Sequence, residues 1–149
     1  MRYLNLTEGF DPLGSTPENR IGFTAFTFSG GEPHIKLDHW DGREDVEITT
    51  RLNSSNDVML LLLAVDALEY MQCANNLHLT VPYFPAARQD RRMVPGEPLS
   101  IKVYADLINA LDFNSVTILD AHSDVTPALL EVSESISNHD FVIAAMEDM

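Results

Sequence analysis

An alternation of short apolar runs with helix-like segments over residues 58–145 constrains the fold of this chain more than any other feature. Val58–Met71 is rich in Leu and Ala and predicts a helix, and apolar residues recur at helical spacing in about Ser100–Leu111. Short β-branched or alternating runs predict strands at Leu77–Val81, Ser115–Leu119 and Phe141–Ala145. Strands that alternate with helices at this spacing form a parallel sheet with helices packed on it.

Local signals add detail to the remaining helices and loops. Ser55, Asn56 and Asp57 form a favourable N-cap cluster at the start of the first helix. Pro127 suits the first turn of a third helix, which we expect to extend to about Ile136. The segment 7–20 is expected to be a loop, because it contains two glycines and two prolines.

The first third of the chain predicts a β-hairpin and one more strand. Ile21–Phe28 is rich in aromatic and β-branched residues, and Ser29–Gly31 supplies a turn that tolerates positive φ. His34–Leu37 then resumes the alternation, and Val46–Thr50 is a further strand candidate. The predicted fold class is therefore α/β, a parallel sheet flanked by helices with an added β-hairpin.

Charge makes any cluster of basic residues informative in this chain. The net charge of -14 argues against non-specific binding to nucleic acid or to an anionic membrane surface. An anionic ligand must then be bound by a local positive patch. Of only nine Lys and Arg residues, Arg88, Arg91 and Arg92 fall within five positions.

These arginines lie in one of two loops that follow predicted parallel strands, where ligands bind in such sheets. Arginine side chains in the first loop, Pro82–Pro98, match phosphate oxygens and suggest a polyphosphate ligand. A solvated loop that pairs with the protein's own carboxylates is the alternative. The second loop, Asp120–Thr126, contains His122 between carboxylates, which could ligate a divalent metal or only cap neighbouring backbone.

A third candidate feature is the turn that contains Phe28 and Glu32. An aromatic ring beside a glycine turn and a carboxylate could stack on a nucleobase and accept a hydrogen bond from its amino group. An ordinary hairpin turn would have the same sequence. The other histidines have no ligand-like spacing and are interpreted as structural or surface residues; they are His34, His39, His78 and His139.

Cellular compartment is constrained by what the sequence contains. The single cysteine, Cys73, excludes an internal disulfide framework and is interpreted as a buried small hydrophobe. Met1–Thr7 does not have the pattern of a secretory signal, and Val58–Val65 is far shorter than the roughly 20 apolar residues of a membrane span. We expect a cytoplasmic protein.

One long motif adds a family resemblance. Residues 81–92 read V-P-Y-F-P-A-A-R-Q-D-R-R, and residues 97–102 read E-P-L-S-I-K. This stretch is similar to the most recognisable part of the ribose-phosphate pyrophosphokinase family. The order of motifs also resembles that family, with Phe28–Glu32 first, then Asn56 at the start of a long helix, and Leu119–His122 after the arginine loop.

The resemblance implies a fold, a reaction and a set of site residues. The family has two domains related to the phosphoribosyltransferase fold and transfers the diphosphoryl group of ATP to ribose 5-phosphate. By position, Phe28 and Glu32 would contact adenine. Arg88, Gln89 and Asp90 would belong to the ATP site, and His122 would help to hold magnesium. The adenine and arginine loops can come from different subunits in the family, so a homo-oligomer is implied.

The resemblance also has gaps. Residues 1–149 are expected to form one domain, the N-terminal, ATP-side half, while the ribose-phosphate loop and the mobile catalytic loop belong to a C-terminal domain absent from this sequence. No catalytic residue is therefore nominated, and the chain alone is expected to be inactive. Gly30 stands where the family usually has Asp or Asn, and a Pro- and Gly-rich segment stands where it has a short strand and helix.

Two alternatives remain open beside an ATP-binding half of the diphosphokinase. The chain could be a non-catalytic regulatory or interaction relative of the family. It could also belong to a pyrophosphokinase with a different ribose-phosphate acceptor, a hypothesis that the altered Phe28–Glu32 turn leaves room for.

Overall fold

A computed structural model of the chain describes residues 1–7, 12 and 14–147. Within them, the secondary structure follows the chain in this order: β1 Arg2–Asn5, β2 Phe23–Thr27, β3 Pro33–Leu37, β4 Glu44–Thr49, α1 Ser55–Met71, β5 Ala74–Val81, α2 Ser100–Asn109, β6 Ser115–Leu119, α3 Val125–Leu129, β7 Ser133–Ile136 and α4 His139–Glu147. The predicted Gly9 of the opening loop lies outside the described residues.

The main sheet has five strands in the order β1-β4-β5-β6-β7, and every neighbouring pair is parallel. Strands β2 and β3 form a separate antiparallel hairpin, which packs on α1 through β3. The predicted parallel sheet with flanking helices and an added hairpin is therefore confirmed.

The two faces of the main sheet differ in polarity. One face is apolar, with Ile48, Leu79 and Ile118 almost fully buried, and residues of α1 and α2 join it in one core. The opposite face carries Glu47 beside His78 and His78 beside Ser115 in successive register positions. Hydrogen bonds run across it: the Thr80 hydroxyl donates to Glu47 Oε1 at 2.9 Å, and His78 Nδ1 lies 2.8 Å from Ser115 Oγ. Cross-strand hydrogen bonds thus satisfy these four side chains on a face that parallel sheets usually bury under apolar cover.

The N-cap of helix α1 lies one residue before the predicted N-cap cluster, and the helix begins at Ser55 instead of Val58. Ser54 is the N-cap: its hydroxyl accepts from the Asp57 amide at 3.2 Å, and Asp57 Oδ2 accepts from the Ser54 amide at 2.8 Å. This reciprocal capping box satisfies two amides that the helix leaves unpaired. The helix ends at Gln72, which adopts a left-handed φ of 54°. Cys73 follows it and is buried, as predicted, and burial raises the pKa of its thiol.

Two predictions for the last third of the chain are wrong. The third helix ends at Leu129, because Leu130 is extended and the chain then forms strand β7 instead of continuing to Ile136. The predicted buried strand Phe141–Ala145 lies inside helix α4. Periodicity cannot distinguish a short apolar strand from a short helix, and here the fifth strand is supplied by the more polar Ser133–Ile136.

The first residues of the chain also differ from the prediction. A strand was not expected there, yet Arg2–Asn5 pairs with β4 as an edge of the sheet. The described part of the following loop contains turns and one bridge between Tyr3 and Arg20, as expected of irregular structure. Among the described residues, no helix has the length and apolar character needed to cross a membrane.

The capping box at Ser54 generates a stability prediction. Ser54→Ala removes the side-chain acceptor for the Asp57 amide, so the free energy of unfolding should fall by about 1 kcal/mol. Urea denaturation followed by circular dichroism measures it. Ser55→Ala is the matched control, because Ser55 is the first helical residue and is not part of the box. Equal stability of the two variants would contradict a stabilising role for the cap.

Candidate functional site

The candidate site lies at the carboxyl edge of the main sheet, where the loops after β5 and β6 leave it. The β5 loop is anchored by two buried side chains, Phe84 and Ala87, which are 2% and 3% exposed. Ala86 has a positive φ of 56°, and its carbonyl accepts from the Gln89 amide at 2.8 Å. This anchored turn places Arg88 and Gln89 on the protein surface, where both are exposed.

Asp90 joins the two loops to each other. Its Oδ2 accepts a hydrogen bond from the Ser123 hydroxyl at 3.1 Å, and its Oδ1 accepts from Arg91 Nε at 3.1 Å. The side chain is only 9% exposed. The hydrogen bond from Arg91 is the main cause that holds the pKa of Asp90 below its ordinary value of 3.8. An ionised Asp90 therefore ties the arginine loop to the loop that carries His122.

The three arginines have different surroundings. Arg91 pairs with Asp90, and Arg92 donates from Nε to the Glu97 carbonyl at 3.2 Å. Arg88 forms no ion pair or hydrogen bond with any residue that the structure describes. The alternative of a loop that pairs with the protein's own carboxylates therefore applies to Arg91 and not to Arg88, whose guanidinium remains available to a ligand.

Two adjoining depressions border this loop. The larger has a volume of about 460 Å³, and its lining includes Arg88, Arg91 and Glu97. The smaller, of about 280 Å³, reaches the N-terminus of α1. Gln89 and Ser100 line both depressions, so the two form one continuous surface. The Glu97 carboxylate is already engaged, since it accepts from the amides of residues 93 and 94 at 2.8 and 3.2 Å.

The loop after β6 is held at its base by Asp120. This residue has a positive φ of 52°, its amide donates to the Ile136 carbonyl at 2.7 Å, and its Oδ2 accepts from Asn138 Nδ2 at 2.8 Å. Asp120 thus fastens the loop to the end of β7. His122 is exposed two residues later, and Asp124 stands at the N-cap of α3 without a capping hydrogen bond.

The donor set around His122 limits the kind of metal site that is possible. Across residues 1–7, 12 and 14–147, no three His, Cys, Asp or Glu side chains come together as potential metal ligands. Magnesium usually keeps several waters and takes one or two protein ligands together with substrate phosphates. The residues present therefore fit a metal that arrives with a polyphosphate, and they do not form a preformed protein cage.

The hairpin turn holds the two residues predicted to contact a base. The Phe28 amide donates to the Glu32 carbonyl at 2.8 Å, and the Gly31 amide donates to the Phe28 carbonyl at 2.8 Å. Gly31 has a φ of 96°, which side chains other than glycine rarely tolerate. A Cβ added at Gly30 would lie 2.6 Å from Glu32 Oε2, so the absence of a side chain lets this carboxylate fold across the turn.

The sequence reasoning missed two further rings on the hairpin. Phe26 and His34 face each other in the hairpin register, and both contact the Phe28 ring. Alternation along β2 places Phe26 and Phe28 on one face, and this could be predicted from the sequence. The position of His34 beside these rings depends on the cross-strand register, which the sequence does not specify. Among the described residues, no hydrogen bond, ion pair or ring contact joins this hairpin group to the arginine loop.

Comparison with known proteins gives the family. The family described as the N-terminal domain of ribose phosphate pyrophosphokinase matches residues 19–111. The chain belongs to this family. It is 34% identical over 107 residues to the ribose-phosphate pyrophosphokinase of Mycoplasma genitalium, a match that covers 70% of this chain and 32% of that protein. The namesake from Campylobacter jejuni is 36% identical over 98 residues, covering 64% of this chain and 31% of that protein.

A solved structure shows the same fold over nearly the whole chain. The phosphoribosylpyrophosphate synthetase from Mycobacterium smegmatis superposes with a TM-score of 0.80 at 19% sequence identity, covering 99% of this chain and 51% of that chain. The sequence matches span about a third of the length of the curated relatives. This chain therefore has the fold of the N-terminal part of the pyrophosphokinase family.

The ionised tie at Asp90 predicts a pH dependence of stability. Because its pKa is lowered on folding, the carboxylate stabilises the folded state above its ordinary value of 3.8 and loses this effect as the pH falls through the folded-state pKa. Asp90→Asn should therefore be less stable than wild type at pH 7, and the difference should shrink below about pH 4. Urea midpoints measured between pH 7 and pH 3 test this.

Asp66→Asn serves as the control for the Asp90 experiment, because Asp66 is exposed on α1 and forms no described ion pair. Its stability difference from wild type should be small at every pH. A pH profile of Asp90→Asn that stays parallel to that of wild type would show that the ionised Asp90 carboxylate contributes nothing to stability.

Proposed function

We propose that the chain is the ATP-side domain of a ribose-phosphate diphosphokinase, which converts ATP and ribose 5-phosphate to AMP and phosphoribosyl pyrophosphate. The observation that carries the proposal is Arg88, which is exposed beside a wide depression and unpaired within the described residues, on a loop that Asp90 fastens to the His122 loop. A polyphosphate needs a cationic, open and rigid surface, and this edge of the sheet supplies one.

The reaction would proceed by attack on ATP. The C1 oxygen of ribose 5-phosphate attacks the β-phosphorus, the bond from that phosphorus to the α,β-bridging oxygen breaks, and AMP leaves. Such transfers depend on in-line positioning and neutralisation of charge more than on covalent chemistry by the protein. When bound, magnesium would supply part of that neutralisation at the phosphate oxygens.

Each site residue has a proposed part on the ATP side. The Phe28 ring stacks on adenine, and the Glu32 carboxylate accepts from its amino group. The Arg88 guanidinium and the Gln89 amide bind the triphosphate, with Asp90 holding their loop in place. His122 is the protein group that would contact magnesium carried by the nucleotide.

The proposal includes partners outside the 149 residues. Residues 1–149 form a single, N-terminal domain, and a second domain supplies the ribose 5-phosphate site and the catalytic residues. The chain alone then binds Mg·ATP without turning over. Because the hairpin group and the arginine loop are not joined by polar or ring contacts within the described chain, a homo-oligomer that brings the hairpin of one subunit to the loops of another fits the arrangement.

A non-catalytic relative is the second candidate. One observation favours it: Asp90 and Asp120 are both occupied by contacts that hold loops together. A subunit of this kind would retain the fold and pair with a complete enzyme.

Calorimetric titration with Mg·ATP tests the nucleotide site directly. Arg88→Ala should weaken binding by about tenfold or more, because it removes charged hydrogen bonds to phosphate. Phe28→Ala should weaken it by at least about fivefold, the lower end of the effect of losing a base-stacking ring. Arg43→Ala, at the opposite edge of the sheet beside Ala74, is the charge-matched control and should bind like wild type. No binding by the folded wild-type chain, or full affinity in both site variants, would refute the proposal.

The proposed role of His122 predicts that replacing it reduces the effect of magnesium on the affinity for ATP. Wild-type affinity for ATP should rise when magnesium is added, and His122→Ala should reduce that gain by about threefold to tenfold, while affinity for metal-free ATP stays the same. His39→Ala is the control, because His39 is an exposed histidine on the loop after β3. An unchanged magnesium effect in His122→Ala would remove this residue from the site.

A further inference from the structure

Three aromatic rings form a cluster on the outer face of the hairpin. The ring centroids of Phe26 and Phe28 are 4.8 Å apart in an edge-to-face arrangement, with planes inclined at 73°. The His34 ring lies 5.2 Å from Phe26 and 5.7 Å from Phe28. Each ring therefore contacts the other two at distances typical of favourable aromatic pairs.

The cluster is open to solvent although its three rings contact one another. Phe26 and Phe28 are 47% and 52% exposed, and His34 is exposed as well. On the other face of the hairpin, Ile35 and Leu37 are packed into the core. The inner face of the hairpin thus contributes to the core. On the outer face, about half of the surface of each of the two phenylalanine side chains is accessible to a ligand.

The contacts restrict the movement of Phe28. This residue follows the last residue of β2 at the entrance to the turn, and backbone hydrogen bonds to Glu32 and Gly31 fix its main chain. A lone exposed phenylalanine would sample several rotamers and would lose that freedom on binding. Contacts with Phe26 and His34 hold the ring in one orientation beforehand, which reduces the entropy lost when a flat ligand stacks on it.

We infer that Phe26 and His34 are positioning residues that hold Phe28 as a stacking platform for a nucleobase. The inference rests on the proposed function and adds two residues to its site. Neither residue needs to touch the phosphates. They act on the part of the ligand that carries the base, so their removal should affect nucleotides and leave a bare polyphosphate unaffected.

The test compares Mg·ATP with Mg·tripolyphosphate, which has the phosphates without a base, by calorimetric titration of the whole chain. His34→Ala and Phe26→Ala should each raise the Kd for Mg·ATP by about threefold to tenfold, the fold-change expected from losing an aromatic pair. The Kd for Mg·tripolyphosphate should stay at the wild-type value. His34→Phe, which restores a ring without the imidazole, should recover most of the affinity for Mg·ATP.

The control and a stability measurement separate positioning from folding. Lys36→Ala changes the next outward-facing residue of β3, which makes no ring contact, and should bind both ligands like wild type. Thermal midpoints of the cluster variants should match that of wild type, because the rings are outside the buried core. A fall in the midpoint together with equal loss of both ligands would overturn the inference in favour of a structural role.

The remaining outcomes distinguish this inference from the proposed function. Wild-type binding that is weakened by Phe28→Ala and unchanged in His34→Ala and Phe26→Ala would overturn the inference alone. A folded wild-type chain that binds neither Mg·ATP nor Mg·tripolyphosphate would overturn the proposed function and the inference with it.

Discussion

The parallel pairing of β5 with β4 on one side and β6 on the other is the interaction on which the rest of the structure depends. It brings the loops after β5 and β6 to the same edge of the sheet, although residues 90 and 123 are 33 positions apart in the chain. Once the loops are adjacent, a single hydrogen bond from Ser123 to Asp90 can hold them together. The exposed Arg88 and His122 then occupy neighbouring, fixed loops on an otherwise acidic protein.

The charged side chains at this edge of the sheet differ in their burial and in their pairing. The Asp90 side chain is nearly buried and forms an ion pair and a hydrogen bond, so its carboxylate holds the two loops together. Arg88 is exposed and unpaired within the described chain, so no described residue neutralises its charge. Phe84 and Ala87 are buried and anchor this irregular loop to the core, although the loop carries an exposed guanidinium.

The sequence predicted those features that depend on local pattern. Runs of β-branched residues marked β5 and β6, and the Leu-rich segment marked α1. It did not predict features that arise only from pairing across distance. Strand β1 has just four residues and is defined by its register with β4, more than 40 positions away. In the same way, β7 is mostly polar and becomes a strand because β6 offers it an edge.

The candidate site shows the same division. Consecutive residues such as Arg88 and Gln89 could be nominated from a motif, and a parallel sheet predicted which edge they would occupy. The tie between Asp90 and Ser123 could not be foreseen, because either hydroxyl or carboxylate could have capped local backbone. The ring contact between His34 and Phe28 likewise requires the antiparallel register of the hairpin, which alternation along one strand leaves undetermined.

The difference in polarity between the two faces of the main sheet affects how precisely the loops of the candidate site are positioned. Sliding one strand by a single residue, a step of about 3.3 Å, would turn polar side chains such as Glu47 and His78 into the core and expose Ile48 and Leu79. Such an exchange would bury polar side chains and expose apolar ones in the strand that moves, so the observed alignment is strongly favoured. The height at which each loop leaves the sheet is fixed by that alignment. The row of polar side chains on this face therefore helps to set the position of Arg88 relative to that of His122.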